Sequence, residues 1–235
     1  HRAGTERLRL QADLTNLQPG RLDRHRLPAE TLRLAASGDA RNPDTGSLDT
    51  LSVRLGSPDE PAGTVLGSGR WVLAGSGAAR RLDLSLSSTL QALQPARLDP
   101  RAPALQVSGP LTLTYSHPLD ASAADARHAT LHTDLRGRFD TAGLPEVRLL
   151  LQAQATPRRL DLERLLARSG NARLDAGGHV ARDDAQRWQV RLHSELDDFD
   201  PALWWPGETR PVWQQGPHRL DSRLDGALQI PGERP

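Results

Sequence analysis

The chain has 235 residues, 37% hydrophobic and 25% charged, enough for one large domain or two small ones. Its 30 basic and 29 acidic residues nearly cancel, so no general attraction to nucleic acid is expected. The absence of Cys excludes disulfides, thiolate chemistry and Cys-based zinc sites, and no run of about 18 apolar residues is present to span a membrane.

Every basic residue is Arg, and Met is absent. With the heavy use of Leu and Ala, this reads as the imprint of a GC-rich genome rather than an arginine function. The chain opens at His1 almost directly into a strand pattern, with no charged-then-apolar leader. It reads as an internal fragment of a longer protein, with residues 1–235 forming one continuous β-rich body.

The first strand, about 6–14, places Leu8, Leu10, Ala12 and Leu14 at every second position, the period of a strand with one buried face. Leu32, Leu34 and Ala36 make a second run. Asn42, Pro43, Asp44 and Gly46 have turn composition. Leu51, Val53 and Leu55 follow, then a loop from Gly56 to Gly63. A glycine-interrupted strand with Trp71 and Leu73 runs to Ala74. Leu82, Leu84, Leu86 and Leu90 alternate next. Leu105, Val107, Leu111, Leu113 and Tyr115 form a long strand in which Gly109-Pro110 predicts a bulge. Leu131 and Leu135 alternate within 129–139, and Val147, Leu149 and Leu151 within 147–155.

Leu160, Leu162, Leu165 and Leu166 depart from this rhythm. Their spacing, with Pro157 before and Gly170 after, predicts a short helix at about 159–168. Strands return at 171–181, at 187–196 with Val190 and Leu192, and at 218–230 with Leu224 and Leu228. A Trp- and Pro-rich stretch, 199–217, separates the last two. The total is about eleven strands and one helix.

One phrase recurs: LRLQADLTNLQPGRL at 8–22, LSLSSTLQALQPARL at 84–98 and VRLHSELDDFDPALW at 190–204. Each is an alternating strand, then one out-of-step apolar residue (Leu17, Leu93, Phe199), then a proline. Proline cannot donate to a ladder, so it marks the strand's exit. Repetition implies one structural unit used several times.

Nearly every strand has one aliphatic and one polar face. One short helix cannot cover the aliphatic side of about eleven strands. Periodicity alone leaves a sandwich, a barrel and an open curved sheet in contention. The aliphatic side is Leu, Val and Ala, with only 3% aromatic residues in the chain, and such a surface suits acyl chains.

The phrase, best seen from Ser194 to Trp204 and from Ser88 to Leu98, resembles the AsmA-like family, and within it the periplasmic body of the translocation and assembly module (TamB) proteins. Residues 105–116 and 224–230 are similar to that family's following strands. The resemblance implies an all-β, elongated, curved antiparallel or mixed sheet, a β-taco or open β-solenoid with an aliphatic inner face. It implies a segment of a periplasm-spanning lipid-transfer conduit that supports outer-membrane biogenesis, by phospholipid transport, outer-membrane protein assembly or both. The parent protein would be anchored in the inner membrane, with phospholipid acyl chains and an outer-membrane barrel protein as partners.

On this reading the conduit is lined by Leu8, Leu10, Leu14, Leu32, Leu34, Leu51, Val53, Leu84, Leu86, Leu105, Val107, Leu111, Leu113, Leu131, Leu149, Leu151, Val190, Leu192, Leu224 and Leu228. The alternative is a structural or adhesive β-solenoid or β-sandwich scaffold whose apolar face is a closed core.

No catalysis or cofactor is expected. His128 and His132 have helical ligand spacing, but four residues of strand span about 13 Å, too far for one ion. Glu195, Asp197, Asp198 and Asp200 lack a calcium-loop pattern and sit at a strand exit. Gly67, Gly69, Gly75 and Gly77 complete no nucleotide-binding motif, and no G-x-S-x-G elbow is present. Trp204, Trp205 and Trp213, near Pro206 and Pro211, read as a plug over the sheet's end, the alternative being a surface that stacks on sugar or sits at a lipid headgroup.

Overall fold

The computed structural model describes residues 7–120, 125–140, 144–183, 185, 187–200 and 218–230. Regular alternation over long stretches gives strands, and short connections make each strand pair with the next. The result is one sheet of twelve strands in sequence order. They are β1 (Arg7–Thr15), β2 (Ala29–Asp39), β3 (Asn42–Gly56), β4 (Pro61–Ala74), β5 (Arg81–Leu93), β6 (Leu105–Pro118), β7 (His128–Phe139), β8 (Val147–Thr156), β9 (Arg159–Ser169), β10 (Ala172–Arg182), β11 (Trp188–Phe199) and β12 (Leu220–Ile230). Every neighbouring pair is antiparallel. β1 and β12 are the two edges, and the sheet is open. A four-residue helix, α1 (Pro95–Leu98), and 3₁₀ turns at Leu22–Arg24 and Gly77–Ala79 lie in the connections.

The expected helix at 159–168 is β9, which supplies the twelfth strand. Its apparent start and stop signals are hairpin tips: Pro157-Arg158 joins β8 to β9, and Gly170-Asn171 joins β9 to β10. Gly170 has φ 59°, as a tight two-residue turn requires. The helical spacing comes from a bulge. Leu162 and Leu165 face Gly178 and Ala176, three residues on β9 against two on β10, and the same slip occurs against β8. Leu160 and Leu162 alternate before it, and Leu165, Ala167 and Ser169 alternate after it on the same face.

Two smaller expectations also move. The turn placed at Asn42–Gly46 is two residues earlier, at Ala40-Arg41, and Asn42 already pairs with Asp39. Gly109-Pro110 does not bulge; the extra residue lies on β5, between Leu90 and Leu93. Pro110 sits within a central strand, opposite Thr89 of β5, and has no N–H to give to the ladder. The Thr133 hydroxyl donates to the Pro110 carbonyl at 2.7 Å, and Ser88 donates to the Leu111 carbonyl at 3.1 Å. Both hydroxyl residues are buried and satisfied.

The bulge on β5 explains the repeated phrase. Ala92 takes φ 50°, its amide N–H donates at 2.8 Å to an acceptor outside the ladder (the Ser108 Oγ), and Leu93 returns to the face of Leu90. In β11, Asp198 takes φ 52° and Phe199 returns to the face of Leu196 in the same way. In these two copies the out-of-step apolar residue is therefore back in step. In the second copy the proline then opens α1, which folds against β3, β4 and β6. Pro201 of the third copy lies outside the described residues, as do Trp204, Trp205 and Trp213, expected to form a plug.

The core lies under α1. Leu90, Val107 and Leu135 are buried, with Leu55, Val65, Leu93, Leu105, Val147 and Leu149 packed against them. Among the described residues no large side chain is completely buried.

Candidate functional site

Register decides which residues share a face. One row of directly opposed residues crosses the whole sheet: Leu10, Ala36, Leu48, Gly69, Leu86, Leu113, Leu131, Ala153, Leu162, Gly178, Leu192 and Gly226. A second runs Ala12, Leu34, Leu51, Gly67, Ser88, Leu111, Thr133, Leu151, Leu165, Ala176, Ser194 and Leu224. Neither row contains a charged residue. The flanking rows carry the remaining residues named from the sequence: Leu8, Leu14, Leu32, Val53, Leu84, Leu105, Val107, Leu149, Val190 and Leu228. All twenty therefore sit on one face.

Exposure varies along that face. Val107 is buried in the middle, while Leu10 is 61% exposed at the β1 edge and Leu228 59% at the β12 edge. Leu8, Leu14, Leu192 and Leu224 are also exposed. Most of the strand residues between are half-buried, and Ser88, Leu90, Thr133, Leu135 and Ala176 are buried.

At the end where odd-numbered strands finish, the face deepens into an apolar cavity of about 430 Å³. Leu93 on β5 and Phe199 on β11 both line it, with Val107, Leu135, Leu149 and Leu174 between. Six strand spacings would set β5 and β11 about 29 Å apart on a flat sheet. One cavity of this size reaches both, so the sheet is curved with the apolar face concave. Pro95 of α1 and Pro103 close its rim.

The opposite face is polar. Asp13 and Arg33 are directly opposed and paired at 3.1 Å. Arg148 grips Asp134 through two hydrogen bonds, one of 2.9 Å, which holds that carboxyl below its usual range. The Arg159 fork does the same for Asp161. A signal not used in reading the sequence underlies several such pairs: the tripeptide Arg-Leu-Asp at 21–23, 81–83, 97–99, 159–161, 173–175, 219–221 and 223–225. Residues two apart on a strand share a face. Arg and Asp pair within every copy except the one at 97–99, where Asp99 pairs with Arg101 instead. Exposed pairs of this kind each contribute little energy, at most about 1 kcal/mol. In the strand copies their effect is to fix which face the intervening leucine takes.

The conduit lining named from the sequence left out Leu90, Leu135, Leu174 and Leu196, although the alternation puts them on the same face, left out Leu93 and Phe199, and gave Leu160, Leu162 and Leu165 to a helix. The repeated phrase already singled out Leu93 and Phe199. Their membership depends on a left-handed residue one position earlier, which the alternation does not reveal.

His128 and His132 lie on β7, and among the described residues no three His, Asp or Glu side chains converge to hold a metal ion. No described helix is long and apolar enough to cross a membrane. The fold defines an open antiparallel meander with one concave aliphatic face and one ion-paired face. No family model, no curated protein and no solved structure matches the chain.

Proposed function

We propose that this chain is a non-enzymatic segment of a lipid-transfer conduit, one that spans the periplasm and supports outer-membrane biogenesis through phospholipid transport, outer-membrane protein assembly or both. The observation that carries the proposal is the uncharged aliphatic face, continuous over twelve strands and covered by no second layer among the described residues. An acyl chain laid on it is shielded from water at a gain of about 0.8 kcal/mol per buried methylene. The ion-paired face keeps the other side in water. The family resemblance of the repeated phrase supports the periplasmic setting, the inner-membrane anchor of the parent and a barrel protein as its far partner.

Photocrosslinking amino acids test this directly. Placed at Leu86 and Leu113 they should capture phospholipid, and at Ser85 and Thr114 on the polar face they should not. Leu86→Asp or Leu113→Asp should abolish lipid transfer while the strand signal in circular dichroism persists. Capture confined to the polar face would sink the proposal. Unfolding by these single charges would instead favour the closed-core scaffold.

A further inference from the structure

The β1–β2 connection, residues 16–28, lies beyond the apolar face at the rim where odd-numbered strands end. It is built as a compact tip. Gly20 N–H donates to the Leu27 carbonyl at 3.3 Å, His25 N–H to Leu22 at 2.9 Å, and Arg26 N–H to Arg21 at 3.3 Å. The Asn16 side chain donates to the carbonyls of Leu27 and Ala29 at 3.2 and 3.0 Å, closing the neck. His25 holds φ 54° at the turn.

This ordered tip points its leucines outward. Leu17 is 90% exposed and Leu27 68%, and the Gly20–Leu27 and Asn16–Leu27 bonds place the two chain segments side by side. Leu22 is exposed as well. Leu93 and Phe199, the counterparts of Leu17 in the other copies of the phrase, line the apolar cavity; Leu17 does not line it. Arg24, His25 and Arg26 are exposed beside these leucines, and Asp23 is paired with Arg21 at 3.3 Å. The same rim also carries Asp59 and Glu60 on the adjacent β3–β4 connection and Arg97 and Arg101 on the β5–β6 connection.

We infer that the β1–β2 tip is a docking surface for an anionic phospholipid bilayer, with Leu17, Leu22 and Leu27 entering the interface and Arg24 and Arg26 meeting lipid phosphates. Exposed apolar side chains flanked by basic ones are the combination that partitions to such surfaces. The charge complementarity selects an anionic over a neutral membrane. The hydrogen-bonded frame means little ordering cost on binding. This inference does not require that lipid is carried along the sheet.

The absence of cysteine allows a clean test. The chain carrying Gln18→Cys is labelled with an environment-sensitive fluorophore and mixed with phosphatidylglycerol or phosphatidylcholine vesicles. Arg41→Cys, in the turn at the opposite rim, is the comparison. A blue shift is expected at position 18 only, on phosphatidylglycerol only, and fading with salt. Arg24→Gln with Arg26→Gln should weaken partitioning about tenfold or more, and Leu17→Ser with Leu27→Ser by a comparable factor. These positions are exposed, and unchanged circular dichroism verifies the fold. No shift, equal shifts at both rims, or equal shifts on both lipids would overturn the inference. So would a shift induced by polyglutamate and not by vesicles, which would assign the tip to an acidic protein. Crosslinking at Leu86 and Leu113 reads the conduit separately, because neither residue is in the tip.

Discussion

At the scale of single residues, two left-handed positions hold the repeated phrase in shape. Ala92 adopts φ 50°, where a Cβ costs about 1–2 kcal/mol. Ala92→Gly should therefore raise stability by about 1 kcal/mol in urea unfolding, and Asp198→Gly by less, because Asp tolerates this region better. Charge acts at the same scale. The Asp134 carboxyl is depressed by the Arg148 fork, so its contribution is fully present above the ordinary carboxylate value and is lost as pH falls through the folded value. Asp134→Asn should be less stable than the parent at pH 7, with the gap closing below about pH 4. A gap that is constant with pH would mean the pair contributes nothing through ionisation.

At the scale of elements, β9 shows what sequence periodicity can and cannot say. Nearly all strands were legible because leucines at every second position admit no other regular structure. β9 was not, because one extra residue at Glu163-Arg164 shifts the phase and gives Leu160, Leu162, Leu165 and Leu166 the spacing of a helix turn. The same device sits at Ala92 and Asp198, where the proline that follows concealed it. Two hairpin tips, Pro157-Arg158 and Gly170-Asn171, use the residues that also punctuate helices, so local composition could not arbitrate. The candidate face was legible in its long leucine rows and illegible where bulges return a residue to it. The bulge also makes an unusual prediction. Deleting Glu163 should leave Leu160, Leu162, Leu165 and Ala167 in strict alternation on one face, and the protein should fold. Deleting His132, in β7, whose register runs unbroken against both neighbours, moves half that strand to the wrong side and should abolish folding. Equal tolerance of both deletions, read by circular dichroism and soluble yield, would refute the assignment of the bulge.

At the scale of the whole molecule, every strand pairs only with its predecessor and successor. The sheet is therefore close to one-dimensional, its stability a sum of neighbouring contacts rather than the property of a central core. The buried cluster under α1 is the exception, drawing its side chains from β3 through β8. Curvature, and with it the concavity between β5 and β11, is then a local property that accumulates strand by strand through twist and bulges. No long-range closure has to be satisfied for the apolar face to form.

That ordering has a consequence for how the protein comes into being. A strand that needs only the one before it can settle in its order of arrival, while later residues are still threading through a ribosome tunnel or a narrow pore. Each newly settled strand is the template for the next, so assembly runs in one direction at the pace of delivery. Such a wall is suited to being built in a place it enters end first.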